Sequence, residues 1–224
     1  MNQTTFVAAC LLGIVLGTGW LVLPAAHADS RADVRAGREA QKRERHTEAI
    51  PHFTRALSDQ TLTGDLRALI HFLRGMSYRR TKQDKEALSD LSQAIRIDPQ
   101  LARAYRERSY MLLSEDDYGG ALSDINKAIR LEPGELHHLV QRGMIFRVQG
   151  NHERAIQDFT AVILLNPKHS VAYALRATAY RAHGDYPHAL ADHNTAIRLD
   201  PNDARVYGDR AFTHLSMGNR NLAL

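Results

Sequence analysis

Four prolines stand 34 residues apart, at Pro99, Pro133, Pro167 and Pro201, and other residue types keep the same step. Ala87, Ala121, Ala155, Ala189 and Ala223 form one series, and Gly143, Ala177 and Ala211 another. Ile95, Ile129, Ile163 and Ile197 form a third, and Tyr78, Leu112, Phe146 and Tyr180 a bulky fourth. A fixed period of this length, with small, aromatic and proline places, describes a helix–turn–helix unit that cannot bury its apolar side alone and stacks on copies of itself. Stacked units build an elongated array with a long binding surface, and seldom an active site. The expected fold class is therefore all-α.

With the proline near the end of each unit, complete repeats fall at 68–101, 102–135, 136–169 and 170–203. Each predicts a helix A of about 14 residues, a short turn and a helix B of similar length that the proline stops. Turn signals fall between the two: Gly150-Asn151, Gly184-Asp185 and Gly218-Asn219, with Glu115-Asp116-Asp117 at the equivalent place. Pro187 sits at the start of its helix B, where a missing N–H costs nothing. A degenerate unit, 30–67, precedes these. Its Gly37, Ala49, Phe53 and Ala56 keep the small–small–aromatic–small spacing, but the step from Ala49 to Ala87 is 38, which places an insertion near 59–65. Its first helix, Arg31 to Arg45, is highly charged, as suits a cap whose outer side meets water. A partial unit, 204–224, stops as its helix B begins, which predicts either a fragment boundary or a surface that another chain covers.

The first 28 residues contain no Lys, Arg, Asp or Glu, and an apolar run from Phe6 to Pro24 ends in Ala26-His27-Ala28. This is the pattern of a secretory signal, residues 1–28, with Asp29 opening the mature chain in the periplasm or outside the cell. The stretch before Phe6 carries no basic side chain, however, and the run nearly suffices to span a bilayer. Left uncut, it would be a membrane anchor, and Arg31, Arg35, Arg38, Lys42, Arg43 and Arg45 would favour the cytoplasmic side for the repeats. Val7-Ala8-Ala9-Cys10 resembles a lipoprotein box, but the cysteine precedes the apolar run, so lipidation is not expected. Cys10 is the sole cysteine; a chain cut after Ala28 has none, and packing alone must hold it together. The net charge of +4 is too small to argue for nucleic acid.

Ala172-Tyr173-Ala174-Leu175-Arg176-Ala177, then Gly184-Asp185-Tyr186, then Ala196-Ile197-Arg198-Leu199-Asp200-Pro201, closely resemble the wording of tetratricopeptide-repeat (TPR) proteins. The likeness covers residues 30–224, and with the leader it is to the exported bacterial kind. It implies a right-handed α-solenoid whose concave face, built from A helices, binds peptides or extended segments of partner proteins. It also implies a scaffold or adaptor, not an enzyme. His193 at a large apolar place, His214 at an aromatic place and the absent last helix depart from the family. In the family's geometry the second, fifth, ninth and twelfth places of each unit point inward. Here these include Leu69, Phe72, Met76 and Arg79; Arg103, Arg106 and Tyr110; His137, Val140, Met144 and Arg147; and Thr178 and Arg181. A mixed basic and apolar lining would suit an extended peptide with apolar anchors and acidic residues. For Leu69, Val140 and Met144, packing against the next helix competes with that role. The Lys and Asn of the family's carboxylate clamp are replaced by Phe72, Met76 and Tyr110, so the clamp does not carry over.

Two charged ladders repeat with the unit: Arg74, Arg108, Arg142, Arg176 and Arg210 on helix A, and Asp90, Asp124, Asp158 and Asp192 on helix B. Charges locked to the period predict structural pairs within or between units, in preference to arginines turned to an acidic ligand. Histidines cluster at His137-His138 and at His183, His188 and His193, but steps of one and five do not converge on a metal, so no metal or cofactor is expected. No nucleophile elbow or phosphate loop is present. The expected function is a non-catalytic adaptor of the cell envelope that binds protein partners, not nucleic acid. The alternative is a homo-oligomeric platform stacking through 204–224.

Overall fold

The computed structural model describes the backbone of residues 19–218 and the side chains of residues 29–218. Most of the expected signal segment, with Cys10, and the last six residues lie outside them. Eleven α-helices occupy the described residues: α1 Gly19–Lys42, α2 His46–Ser58, α3 Gly64–Arg80, α4 Asp84–Ile97, α5 Ala102–Ser114, α6 Tyr118–Leu131, α7 Leu136–Val148, α8 His152–Leu165, α9 Ser170–His183, α10 Tyr186–Leu199 and α11 Ala204–Ser216. The fold class is all-α. None of these helices is long and apolar enough to cross a membrane.

Odd-numbered helices are the A members of hairpins and even-numbered ones the B members. The turn between them has a backbone cause. Gly150, Gly184 and Gly218 have φ of 77°, 89° and 81°, and Glu44, Lys82 and Asp116 hold the same left-handed place at 58°, 60° and 60°. Glycine suits this conformation because a Cβ is strained in it. An acceptor side chain then caps the next helix: Asp117 receives the Gly120 amide, Asn151 the Arg154 amide and Asp185 the His188 amide. The B helices α4, α6, α8 and α10 each end two residues before Pro99, Pro133, Pro167 or Pro201, where a helix cannot continue.

The chain divides into two compact units, Met1–Leu101 and Ala102–Leu224. In the first, α1 packs on α2, α2 on α3, and α3 on α4, around Val34, Ala40, Ala49, Phe53, Ala56 and Ile70. In the second, each of α5 to α10 packs on the helix after it, and α5, α7, α9 and α11 also touch in succession. Its core is a string of small clusters: Ala121, Ile125, Ala128 and Ile145; then Ala155, Phe159 and Ala179; then Val162, Ile163 and Ala172. Each joins one hairpin to the next, so every unit completes its neighbour's burial. In the second unit successive A helices touch, while the B helices meet mainly through them.

Candidate partner-binding face

The arginine ladder is consumed by the fold. Arg142 Nε and Nη2 donate to the two carboxylate oxygens of Asp158 at 2.9 and 2.6 Å, and Arg176 grips Asp192 the same way at 2.7 and 2.9 Å. Arg74–Asp90 and Arg108–Asp124 repeat the fork, always sixteen residues apart and always from helix A to the B helix of the same hairpin. The remaining nitrogen reaches back to the preceding B helix. Arg142 Nη1 donates to Asn126, Arg176 Nη1 to Thr160, Arg210 Nη1 to Asn194 and Arg74 Nη1 to Thr54, at 2.9 to 3.0 Å. Arg74, Arg142 and Arg176 thus each tie three helices. The carboxylates raise the pKa of Arg74, Arg108, Arg142 and Arg176 through these hydrogen bonds. Burial pushes the Asp90 carboxyl up, but Arg74 and the His71 imidazole, 2.8 Å away, outweigh it and hold Asp90 below the usual carboxylate range.

The first hairpin reverses the polarity. Asp33 is on helix A, and Arg55 and His52 meet it from helix B at 2.7 and 2.8 Å. No pattern in the sequence announces this pair, because it lies outside the period.

Other arginines are turned elsewhere. In the second unit Arg103 is exposed on α5, and Arg147 and Arg181 are half-buried at one repeat place on α7 and α9. Neither Arg147 nor Arg181 has a carboxylate partner among the described residues, and the Nε of each is buried without a hydrogen bond. The Arg181 guanidinium lies 4.6 Å from the centre of the Phe212 ring, within cation–π reach. Arg106 is different: Glu107 beside it accepts from Nη2 at 2.8 Å and screens its charge. His137 is exposed, but its Nδ1 meets Glu135 at 2.6 Å at the start of α7. Among the apolar candidates Tyr110 is exposed, while Met144 packs beside the Phe159 cluster and Val140 beside the Val162 cluster. Thr178 is half-buried and donates to the Leu175 carbonyl.

Phe72, Met76 and Arg79 belong to α3 of the first unit. Met76 and Arg79 are half-buried, as is Leu69. Phe72 is only 8% exposed, so its ring packs inside and offers nothing to a groove. That corrects the lining drawn from the family's geometry, which fixes direction along a helix but not what lies over it. The same places also hold exposed apolar side chains that sequence reading passed over: Val171 on α9, and Phe212 and Leu215 on α11. Their signal was available, since 171, 212 and 215 are inward places of their own units.

The histidines disperse. His138 is buried with Nε2 3.2 Å from Glu132, His188 stacks on Tyr180, and His193 is buried beside Thr213. No group of three or more His, Cys, Asp or Glu among the described residues could hold a metal.

Hairpins tied by an in-phase arginine, a left-handed turn and a proline stop are matched by three family profiles. Profiles described as tetratricopeptide repeat cover residues 34–102 and 139–169, and one described as TPR repeat covers 177–218. The chain belongs to the tetratricopeptide-repeat family. Among solved structures it is similar to a TPR protein from Parabacteroides merdae, with TM-score 0.78 and 20% identity over 88% of this chain and 76% of that one. It is also similar to PilF of Pseudomonas aeruginosa, with TM-score 0.72 and 16% identity over 89% of each chain. A third is YrrB, described as a TPR protein with an unusual peptide-binding site, at TM-score 0.61 and 19% identity over 77% of this chain and 87% of that one. At these identities the likeness is one of fold. No curated protein sequence matches the chain. TPR folds are in general protein-interaction scaffolds.

Proposed function

We propose that this TPR protein is a non-catalytic adaptor that holds an extended segment of a partner protein along the A helices of its second unit. The observation that carries the reading is the pairing of Arg147 and Arg181, both without a carboxylate, with exposed Tyr110, Val171, Phe212 and Leu215 on the same run of touching helices. Each guanidinium is half-buried and has no carboxylate of its own, so its charge is left for an incoming carboxylate to meet. Apolar side chains of the segment would supply most of the affinity, and its acidic residues the register. The leader at 1–28 favours work in the cell envelope. YrrB, by its description, binds peptide, which lends the reading a precedent in fold alone.

The test uses fluorescent decapeptides that alternate Glu with Phe or Leu, beside Lys-for-Glu and Gln-for-Glu counterparts. Only the acidic–apolar peptide should bind, and more weakly in high salt. Arg147→Glu with Arg181→Glu should weaken binding about tenfold or more, as loss of two charge-assisted contacts implies. Equal binding by this variant refutes the face as drawn. A second reading, self-association, is favoured by the exposed Tyr207, Phe212, Leu215 and Met217 of α11 and its end. Light scattering at several concentrations decides it, because a monomer at all of them removes it.

A further inference from the structure

The repeats provide an internal control for every core place. On successive B helices one such place is filled by Phe53, Leu91, Ile125 and Phe159, none of which has exposed surface. On α10 it is filled by His193, just as completely buried. The place it faces on the next A helix is also changed: Ile145 and Ala179 in the preceding repeats give way to Thr213 on α11. The Thr213 hydroxyl donates to the Asp209 carbonyl at 2.9 Å, so its lone pair is left to face His193 Nε2 at 3.2 Å. The imidazole therefore carries its proton on Nε2. Nδ1 is a bare acceptor, buried and without a hydrogen-bond partner.

The charged groups around the ring make a second proton unwelcome. Arg181 faces it from α9 and Arg210 from α11, while Asp192 on its own helix is already held by Arg176. We propose that His193 is a proton-operated latch, and that protonation at Nδ1 releases α11 from α10 and so dismantles the α11 end of the partner-binding face. The release itself needs no ligand; only its consequence for binding rests on the function proposed above. The direction follows from burial first, then from Arg181 and Arg210, which together lower the His193 pKa from 6.5 to about 4. The neutral ring thus favours the docked helix fully above pH 6.5, and that contribution is lost as pH falls toward 4. Among the described residues α11 packs on α10 and touches α9, so its local opening disturbs fewer helices than the opening of one inside the array.

Hydrogen exchange of the α11 amides, expressed as protection relative to the intrinsic rate at each pH, reads the latch directly. Between pH 7.5 and 5 the linkage relation gives about 30-fold more opening in the wild type. His193→Ile copies Ile125 of an earlier repeat, and His193→Gln keeps a side chain able to hydrogen-bond but not to titrate; whichever folds should lose this dependence. Constant α11 protection in the wild type, or the same loss in a folded variant, overturns the proposal. The acidic–apolar decapeptide is then titrated at both pH values. Weaker binding at pH 5 in the wild type alone supports the link between latch and face. Failure to bind even at pH 7.5 refutes the face and leaves the exchange result to judge the latch.

Discussion

Gly143→Ala isolates the contact that sets how closely a hairpin's two helices approach. A β-carbon built on Gly143 would lie 2.7 Å from Phe159 Cε1, 2.9 Å from Cζ and 3.1 Å from Cδ1. Carbon atoms prefer about 3.5–4.0 Å, so the methyl would intrude by roughly 1 Å on a ring edge. Phe159 has no exposed surface into which it could swing, and α7 and α8 must part instead. Overpacking of this kind costs about 1–3 kcal/mol. Replacing a helical glycine with alanine returns about 1 kcal/mol of that through backbone entropy. Gly208→Ala on α11 shares the entropic gain but meets no atom within 4 Å, so the difference between the two variants is the steric cost alone. We expect Gly208→Ala to be slightly stabilising and Gly143→Ala to lie about 1–3 kcal/mol below it in urea unfolding followed by helical circular dichroism. The repeats predict the rescue as well. Where the B helix carries Phe53 or Phe159, helix A has Gly37 or Gly143; where it carries Ile125, helix A has Ser109. Gly143→Ala should therefore be harmless in a Phe159→Ile background. Equal stability of Gly143→Ala and Gly208→Ala, or no coupling to Phe159→Ile, refutes the argument.

Arg142→Ala leaves Asp158 buried without its fork and should cost about 2–4 kcal/mol, while Arg142→Met with Asp158→Leu should recover most of that in the same melts. Lys82→Gly relieves a left-handed residue at φ 60° and should raise stability by about 1 kcal/mol, whereas Lys82→Ala should not, as urea midpoints will read. Because Arg74 and His71 hold the Asp90 carboxyl below 3.8, its contribution is complete above that value and is lost as pH falls below it. Asp90→Asn should therefore start less stable at neutral pH and show a shallower acid limb below about pH 4 in acid titration followed by circular dichroism.

The hairpins were legible because period, turn and stop are each local: proline cannot continue a helix, and a left-handed turn favours glycine. The arginine ladder was legible as a ladder, and its pairing with the aspartates is the structural one expected. That Arg74, Arg142, Arg176 and Arg210 also reach the preceding B helix was hidden, because the acceptor changes identity between Thr54, Asn126, Thr160 and Asn194 while keeping its place. Phe72 was misplaced for a different reason: helical phase gives a direction, and burial depends on what packs over it.

The same limit explains why arginine has two fates in this chain. Arg142 and Arg147, like Arg176 and Arg181, stand five residues apart on one helix, which at about 100° per residue sets them about 140° apart around it. One member of each pair points into the hairpin, meets an aspartate and is spent in holding three helices in register. The other cannot reach that aspartate from its side of the helix, and no carboxylate of the described residues meets it instead. Both series obey the same period, so periodicity alone cannot say which arginines are structural; the 34-residue step and the 3.6-residue turn are needed together. Arg181 spends part of its charge on the Phe212 ring, but the Nε of Arg147 and of Arg181 is buried without an acceptor, so no carboxylate fixes either side chain as Asp158 and Asp192 fix Arg142 and Arg176. Equivalent places of two neighbouring repeats thus present a guanidinium that no aspartate of the hairpin holds, which is what the adaptor role proposed above requires of them.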